Sequence, residues 1–217
     1  MTATASLKSS GKASRQTEVV IPPMNTQAME VAIVGDSSLI VHAWSKKAQE
    51  MMLAKQMKKA RIAKEAKSPE QDYIDSLYWF STRPKAPTLA DVEEGEFGFP
   101  AIAFKSAAVD ACSHVDGMTK VLARGAFHID GELVRIEGQP TPREDMVRVG
   151  MGVADIRYRA EFRSWRVRIP IRYNANVISP EQLVNLFETA GFGIGVGEHR
   201  PQKNGQNGRF HVARNGE

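Results

Sequence analysis

The chain has 217 residues, 42% hydrophobic and 25% charged, with a formal net charge of +4, which suits one medium globular domain and excludes a disordered or fibrous protein. A single cysteine, Cys112, excludes an internal disulfide and the common cysteine-based zinc sites, and it fits a reducing compartment. No apolar run reaches the length of a membrane span, and Met1 to Lys12 lacks the apolar stretch of a signal peptide, so a cytoplasmic protein with no membrane partner is expected.

Residues 1–16 read as a flexible tail rich in Ser, Thr, Ala and Lys, followed by one domain over 17–217. Val19-Val20-Ile21 runs into Pro22-Pro23, where any strand should end. Met29–Val34 and Leu39–Val41 read as short strands about a polar turn at Gly35–Ser38. Ser45 offers an N-cap for a long helix from Lys46 to Lys67. That helix carries Lys46, Lys47, Lys55, Lys58 and Lys59 among its basic residues, opposed only by Glu50 and Glu65. It is either a solvated face or a cationic surface for phosphates. Ser68–Phe99 reads as an insertion, with Tyr73, Leu77, Tyr78, Trp79 and Phe80 supplying an apolar docking surface.

A second helix is expected over Phe104–Val115, since Phe104, Ala107, Ala108, Ala111, Cys112 and Val115 share one face. Asp130-Gly131 predicts a hairpin turn between strands at Val121–Ile129 and Glu132–Ile136. The clearest strand is Ser164–Tyr173. Trp165, Val167, Ile169, Ile171 and Tyr173 alternate with Arg166, Arg168 and Arg172, and Pro170 implies an edge or a break in the ladder. The last helix starts at Ser179 with Pro180 and a capping glutamine, Gln182. It buries Leu183, Leu186, Phe187 and Ala190 and should stop at Gly191. A glycine-rich loop and a closing strand near Gly208–Val212 complete the chain.

Two constellations carry chemistry. Gly193, Gly195 and Gly197 alternate after a helix, so they match neither the dinucleotide fingerprint nor a phosphate loop. They can still bring bare backbone N–H groups close to an anion, with His199, Arg200 and Arg209 nearby. A flexible connection explains them as well. Arg157, Arg159, Arg163, Arg166, Arg168 and Arg172 crowd a stretch where only Asp155 and Glu161 oppose them. An arginine-bearing sheet face with aromatic rings is a single-strand platform, the alternative being ion pairs with Glu132, Glu137, Glu144 or Asp145. No catalytic set, metal site or cofactor site is expected. The five histidines form no zinc-type pair at helical spacing, and Asp36 has the setting of a turn residue.

Phe99-Pro100-Ala101-Ile102-Ala103-Phe104-Lys105, Gly193–Arg200, and Gly205, Gln206, Asn207, Gly208 and Arg209 together resemble the RAMP superfamily, in particular the backbone subunits of CRISPR effector complexes. The resemblance spans most of Val31–Val212 in order, with Ser106 where that family has Gly. It implies an α+β, ferredoxin-like (RRM-like) antiparallel sheet with helices on one face and the inserted segment at about 68–99. It also implies repeated subunits gripping a guide RNA without reading its sequence, with Lys105 and Arg200 as phosphate contacts, and with Asp36 in the place where some relatives carry a catalytic aspartate. The expected partners are single-stranded RNA or DNA, copies of the chain itself and other ribonucleoprotein subunits. The setting is antiviral defence, or a phage or mobile element. Rival expectations are a single-strand annealing protein, a metal-independent endoribonuclease using His199 or His211, and a structural or inhibitory protein imitating a backbone subunit.

Overall fold

The computed structural model describes residues 21–58, 67–149 and 152–214. The expected tail and Val19-Val20 lie outside them. The main sheet has the order β3-β5-β8-β1-β9, with β4 also on β8. Its strands are β1 (Thr26–Gly35), β3 (Phe97–Pro100), β4 (Phe127–Ile129), β5 (Leu133–Glu137), β8 (Arg166–Asn174) and β9 (Phe210–Val212). Every pairing is antiparallel. Helices α4 (Ala101–Ala111) and α6 (Pro180–Gly193) follow β1 and β8 in the chain order of a ferredoxin-like fold, with β3 added at one edge.

Period two decides which face is buried. Val31 and Ile33 of β1 and Val167, Ile169, Ile171 and Tyr173 of β8 point into the core under α4 and α6. Glu30, Arg168 and Arg172 point to the open side. Burying each large aliphatic side chain contributes about 1.5–3 kcal/mol, so a one-residue slip of either strand would expose the whole set. Edge-to-face ring contacts run through this core from Tyr78 to Phe99, Phe104, Phe210 and Trp165, with centroids 5.8–6.2 Å apart. They tie the segment before β3 to the sheet and to both ends of the chain's core.

A second sheet, β2-β7-β6, joins β2 (Leu39–Val41) to a long hairpin of β6 (Pro140–Val149) and β7 (Val153–Phe162). Strand β7 alternates apolar and charged residues, but its partner β6 carries charges on both faces, which weakens the sequence signal of the pair. The base is held by Leu39–Val41 against Phe162–Ala160, and beyond it β6 and β7 pair with each other in unbroken register.

Three expectations are corrected, and at Pro170 the second of two alternatives holds. The helix after Ser45 ends at Gln56, where Met57 caps it and Lys58 takes a left-handed φ of 52°; Lys59 and the rest up to residue 66 lie outside the described residues. The Asp130-Gly131 hairpin does not form. Lys120–Ala126 is helix α5, capped by Thr119, and β4 and β5 lie end to end along the same side of β8. Gly131 does take the positive φ expected of it, 85°, but it makes a bulge, with the Asp130 N–H donating to the Pro170 carbonyl. Strand β8 is central, so Pro170 marks the break in the ladder between β4 and β5. The last helix runs past Gly191 to Gly193.

Gly191 is instead a site of close packing: a Cβ there would meet the Phe210 carbonyl at 1.9 Å. Gly191→Ala should therefore push α6 off β9 and cost about 3 kcal/mol of stability, read as a lower urea midpoint with an unchanged slope.

Candidate nucleic-acid interface

The glycine-rich loop is a backbone knot. Gly195 and Gly197 have φ of 68° and 78°, and His199 takes 55°. The N–H groups of Gly195, Val196 and Glu198 donate to the carbonyls of Ala190, Gly208 and Ile40. Those amides are spent inside the chain, so the expected cradle of bare N–H groups does not form at these positions. The glycines serve close approach: a Cβ on Gly197 would meet the Ile40 carbonyl at 2.6 Å, and one on Gly208 the Val196 carbonyl at 1.7 Å.

Held this way, the loop walls a cavity of about 310 Å³ against α4, β2 and the aromatic segment, lined by His42, Tyr78, Ser106, Asp110, Arg200 and Gln202 among others. At its rim the Arg200 guanidinium donates to the Gly197 carbonyl and to Gln202 Oε1, each at 3.1 Å. The nearby carboxylates have other cations. Asp110 takes Lys120 Nζ at 2.7 Å, a bond that holds its pKa below the ordinary value, with a smaller contribution from Arg200. Glu198 lies 4.0 Å from Arg159. Arg200 is thus oriented by neutral acceptors at the mouth of a polar cavity.

Of the remaining basic residues, Arg159 reaches the loop through Glu198 and His199, and most of the others lie elsewhere. Lys46 and Lys47 begin helix α1 (Lys46–Gln56), and Lys55 lies in its last turn. That helix borders a different cleft, which Asp72, Asp75 and Asp155 share with Lys67 and Arg157. Lys58 is exposed just beyond the helix. Arg157 and Arg163 sit on or beside β7, 3.5 and 3.6 Å from Asp155 and Glu161. Arg159 is 6% exposed and binds Asp145 at 3.1 Å and His199 Nε2 at 3.2 Å. Arg166, Arg168 and Arg172 occupy the open face of the main sheet, opposite the helices. Arg168 meets Glu30 and Glu137, and Arg172 meets Asp130. Trp165 and Tyr173 lie on the buried face, so β8 offers no rings beside its arginines. The six arginines therefore do not form one ring-bearing platform: Arg157 and Arg159 belong to the second sheet, with Arg163 just beyond its strand β7, and on the main sheet Arg168 and Arg172 are paired with carboxylates. Arg209 Nε donates to the Gln206 carbonyl on the loop side. Lys105 points away from the cavity, 3.1 Å from His128 Nδ1 and over the Phe127 ring, and burial lowers its pKa.

Reasoning from the sequence missed His42, Tyr78, Asp110 and Gln202, which come from four separated segments. Gln202 binds Asp110 at 2.7 Å, a pairing that no spacing announces. Asp36 accepts from or donates to His211 Nδ1 at 2.6 Å according to protonation, a contact between the first turn and the last strand. No group of three or more His, Cys, Asp or Glu with metal-holding geometry occurs among the described residues, and no helix among them is long and apolar enough to cross a membrane.

Burial, and then the charge of Arg159, push the His42 pKa below its ordinary 6.5, with Glu198 and Asp72 opposing and Arg157 assisting. A lowered folded-state pKa means the unfolded chain binds its proton first, so stability is complete above 6.5 and falls as pH drops toward the folded value. The unfolding midpoint of the wild type should accordingly drop more between pH 7 and pH 5 than that of His42→Gln, and parallel curves would contradict the assignment.

No family model and no curated protein matches the chain. Among solved structures, Cmr6 from Pyrococcus furiosus aligns over 88% of this chain and 100% of its own, with a TM-score of 0.43 and 9% sequence identity.

Proposed function

We propose that the chain binds the phosphate backbone of single-stranded RNA or DNA at the glycine-loop cavity, without sequence preference, as a repeated subunit of a CRISPR-effector-like nucleoprotein assembly. One observation carries this: Arg200 is held at the cavity mouth by two neutral acceptors, while Asp110 and Glu198 are matched by Lys120 and Arg159. A guanidinium fixed in place with spare donors is suited to a phosphate oxygen. Exposed Lys203 follows on the same loop. The role is binding, not catalysis, and no cofactor enters it. Self-association and other subunits belong to the same proposal.

A second reading, an endoribonuclease, is favoured by the Asp36–His211 contact, because a carboxylate on one ring nitrogen orients an imidazole for acid–base work. It would show as RNA products that disappear in His211→Ala.

Binding is tested by fluorescence anisotropy with mixed-sequence oligonucleotides. Arg200→Ala should weaken affinity roughly tenfold, about 1.4 kcal/mol, equally across sequences, and reduce the salt slope by about one. A wild-type chain that binds no oligonucleotide at low salt contradicts the proposal.

A further inference from the structure

Helix α1 buries none of its side chains from Ala48 to Gln56. Met51, Met52, Leu53 and the capping Met57 are between 47% and 56% exposed, and Trp44, just before the N-cap, is 60% exposed. An isolated helix shorter than about 12–15 residues is marginal in water, and in proteins it is held by packing an apolar face. Here the apolar side chains are present, but the chain itself leaves them in water.

The apolar surface continues beyond the helix. Ala48 and Met51 line a cleft of about 280 Å³ together with Ile156 of β7, itself 44% exposed. Met146 stands directly opposite Ile156 across the β6–β7 hairpin, on the same face, and is 71% exposed. Apolar side chains from the helix and from the hairpin thus meet at one cleft, which is the pattern of an interaction surface and not of scattered single residues.

Charge selects the occupant. The helix carries Lys46, Lys47 and Lys55, with Lys58 just beyond, against Glu50 alone. Two copies of α1 laid side by side would set like charges together, which disfavours a symmetric contact through the helix itself. A phosphate backbone would satisfy the lysines but leave the methionines and Leu53 in water. The chain carries a surface that answers both features. In α3 (Leu89–Glu94) Leu89 is 45% exposed. Glu93 follows one turn along on the same side, and both it and Glu94 are exposed. An apolar residue flanked by carboxylates complements a methionine-rich helix flanked by ammonium groups.

We propose that α1 of one copy docks on α3 of the next, a heterologous contact that repeats from subunit to subunit. It gives the self-association of the proposed function a surface, and it does not depend on phosphate binding at Arg200.

Sedimentation velocity of the full chain, over a concentration series and after nuclease treatment, tests this. The wild type should form concentration-dependent oligomers. Lys55→Glu with Lys58→Glu, and separately Glu93→Lys with Glu94→Lys, should each weaken association roughly tenfold. An equal mixture of the two should restore it, because each reversed face then meets an opposite one. Leu53→Gln keeps a good helix former in place and should weaken association as well. Thermal unfolding checks that these exposed substitutions leave the fold intact. A wild type that stays monomeric at its highest soluble concentration overturns the proposal and leaves phosphate binding at Arg200 to its own test. Oligomers that vanish on nuclease treatment overturn it too, since nucleic acid would then bridge the copies, and so do reversed variants that fail to associate on mixing. Monomers that float with phosphatidylserine vesicles would assign α1 to a membrane surface instead.

Discussion

Three stretches of backbone meet where the chain's first turn, its glycine loop and its last strand cross. The Gly208 N–H donates to the Ser38 carbonyl, the Gly208 carbonyl accepts from Val196, and Glu198 donates to Ile40. Nothing larger than hydrogen fits at Gly197 or Gly208, and both need left-handed φ, so side chains are excluded twice over. This contact fixes where the loop turns, and hence where Arg200 and Gln202 face α4. The cavity follows from it.

The same constraint changes what the glycines mean. Alternating glycines suggest amides free for an anion, yet here the amides of Gly195, Val196 and Glu198 serve the fold. Under the proposed function, recognition is left to side chains. Charge placement points the same way. On the open sheet face, Arg168 and Arg172 find carboxylates on neighbouring strands, which contribute little to stability in water but cancel the local field. At the cavity rim, Arg200 is oriented by neutral groups, and its charge stays available to a ligand. A count of arginines along the chain cannot separate these two situations, because the difference lies in which strand stands next to which.

Elements whose signal is local were legible. The alternation of β8, the Ser179 and Gln182 capping box of α6 and the Gly35–Ser38 turn each depend on residues within a few positions. The aromatic segment Tyr73–Phe80 was readable as a docking surface, and Tyr73 and Leu77 are buried. What failed was set by distant partners. Asp130-Gly131 has the chemistry of a hairpin turn, but β8 presents an edge long enough for β4 and β5 in succession, so the pair became a bulge. The β6–β7 hairpin is legible on one strand only: Ala154, Ile156, Tyr158, Ala160 and Phe162 alternate with Asp155, Arg157, Arg159 and Glu161 along β7, whereas β6 carries Glu144 and Arg148 on one face and Arg143 and Asp145 on the other, which removes the alternation that marks a half-buried strand. Of the candidate site, Gly195, Gly197, His199 and Arg200 were visible in one run. Tyr78, Asp110 and Gln202 join them only through the fold.

The central claim is that a single strand lies at the glycine-loop cavity and not on the open sheet face. Photocrosslinking of 4-thiouridine-substituted RNA to the full chain, with the attached peptides identified by mass spectrometry, locates it directly. The account predicts attachment within residues 192–203 and on α4. Attachment confined to peptides carrying Arg168 and Arg172 would contradict it.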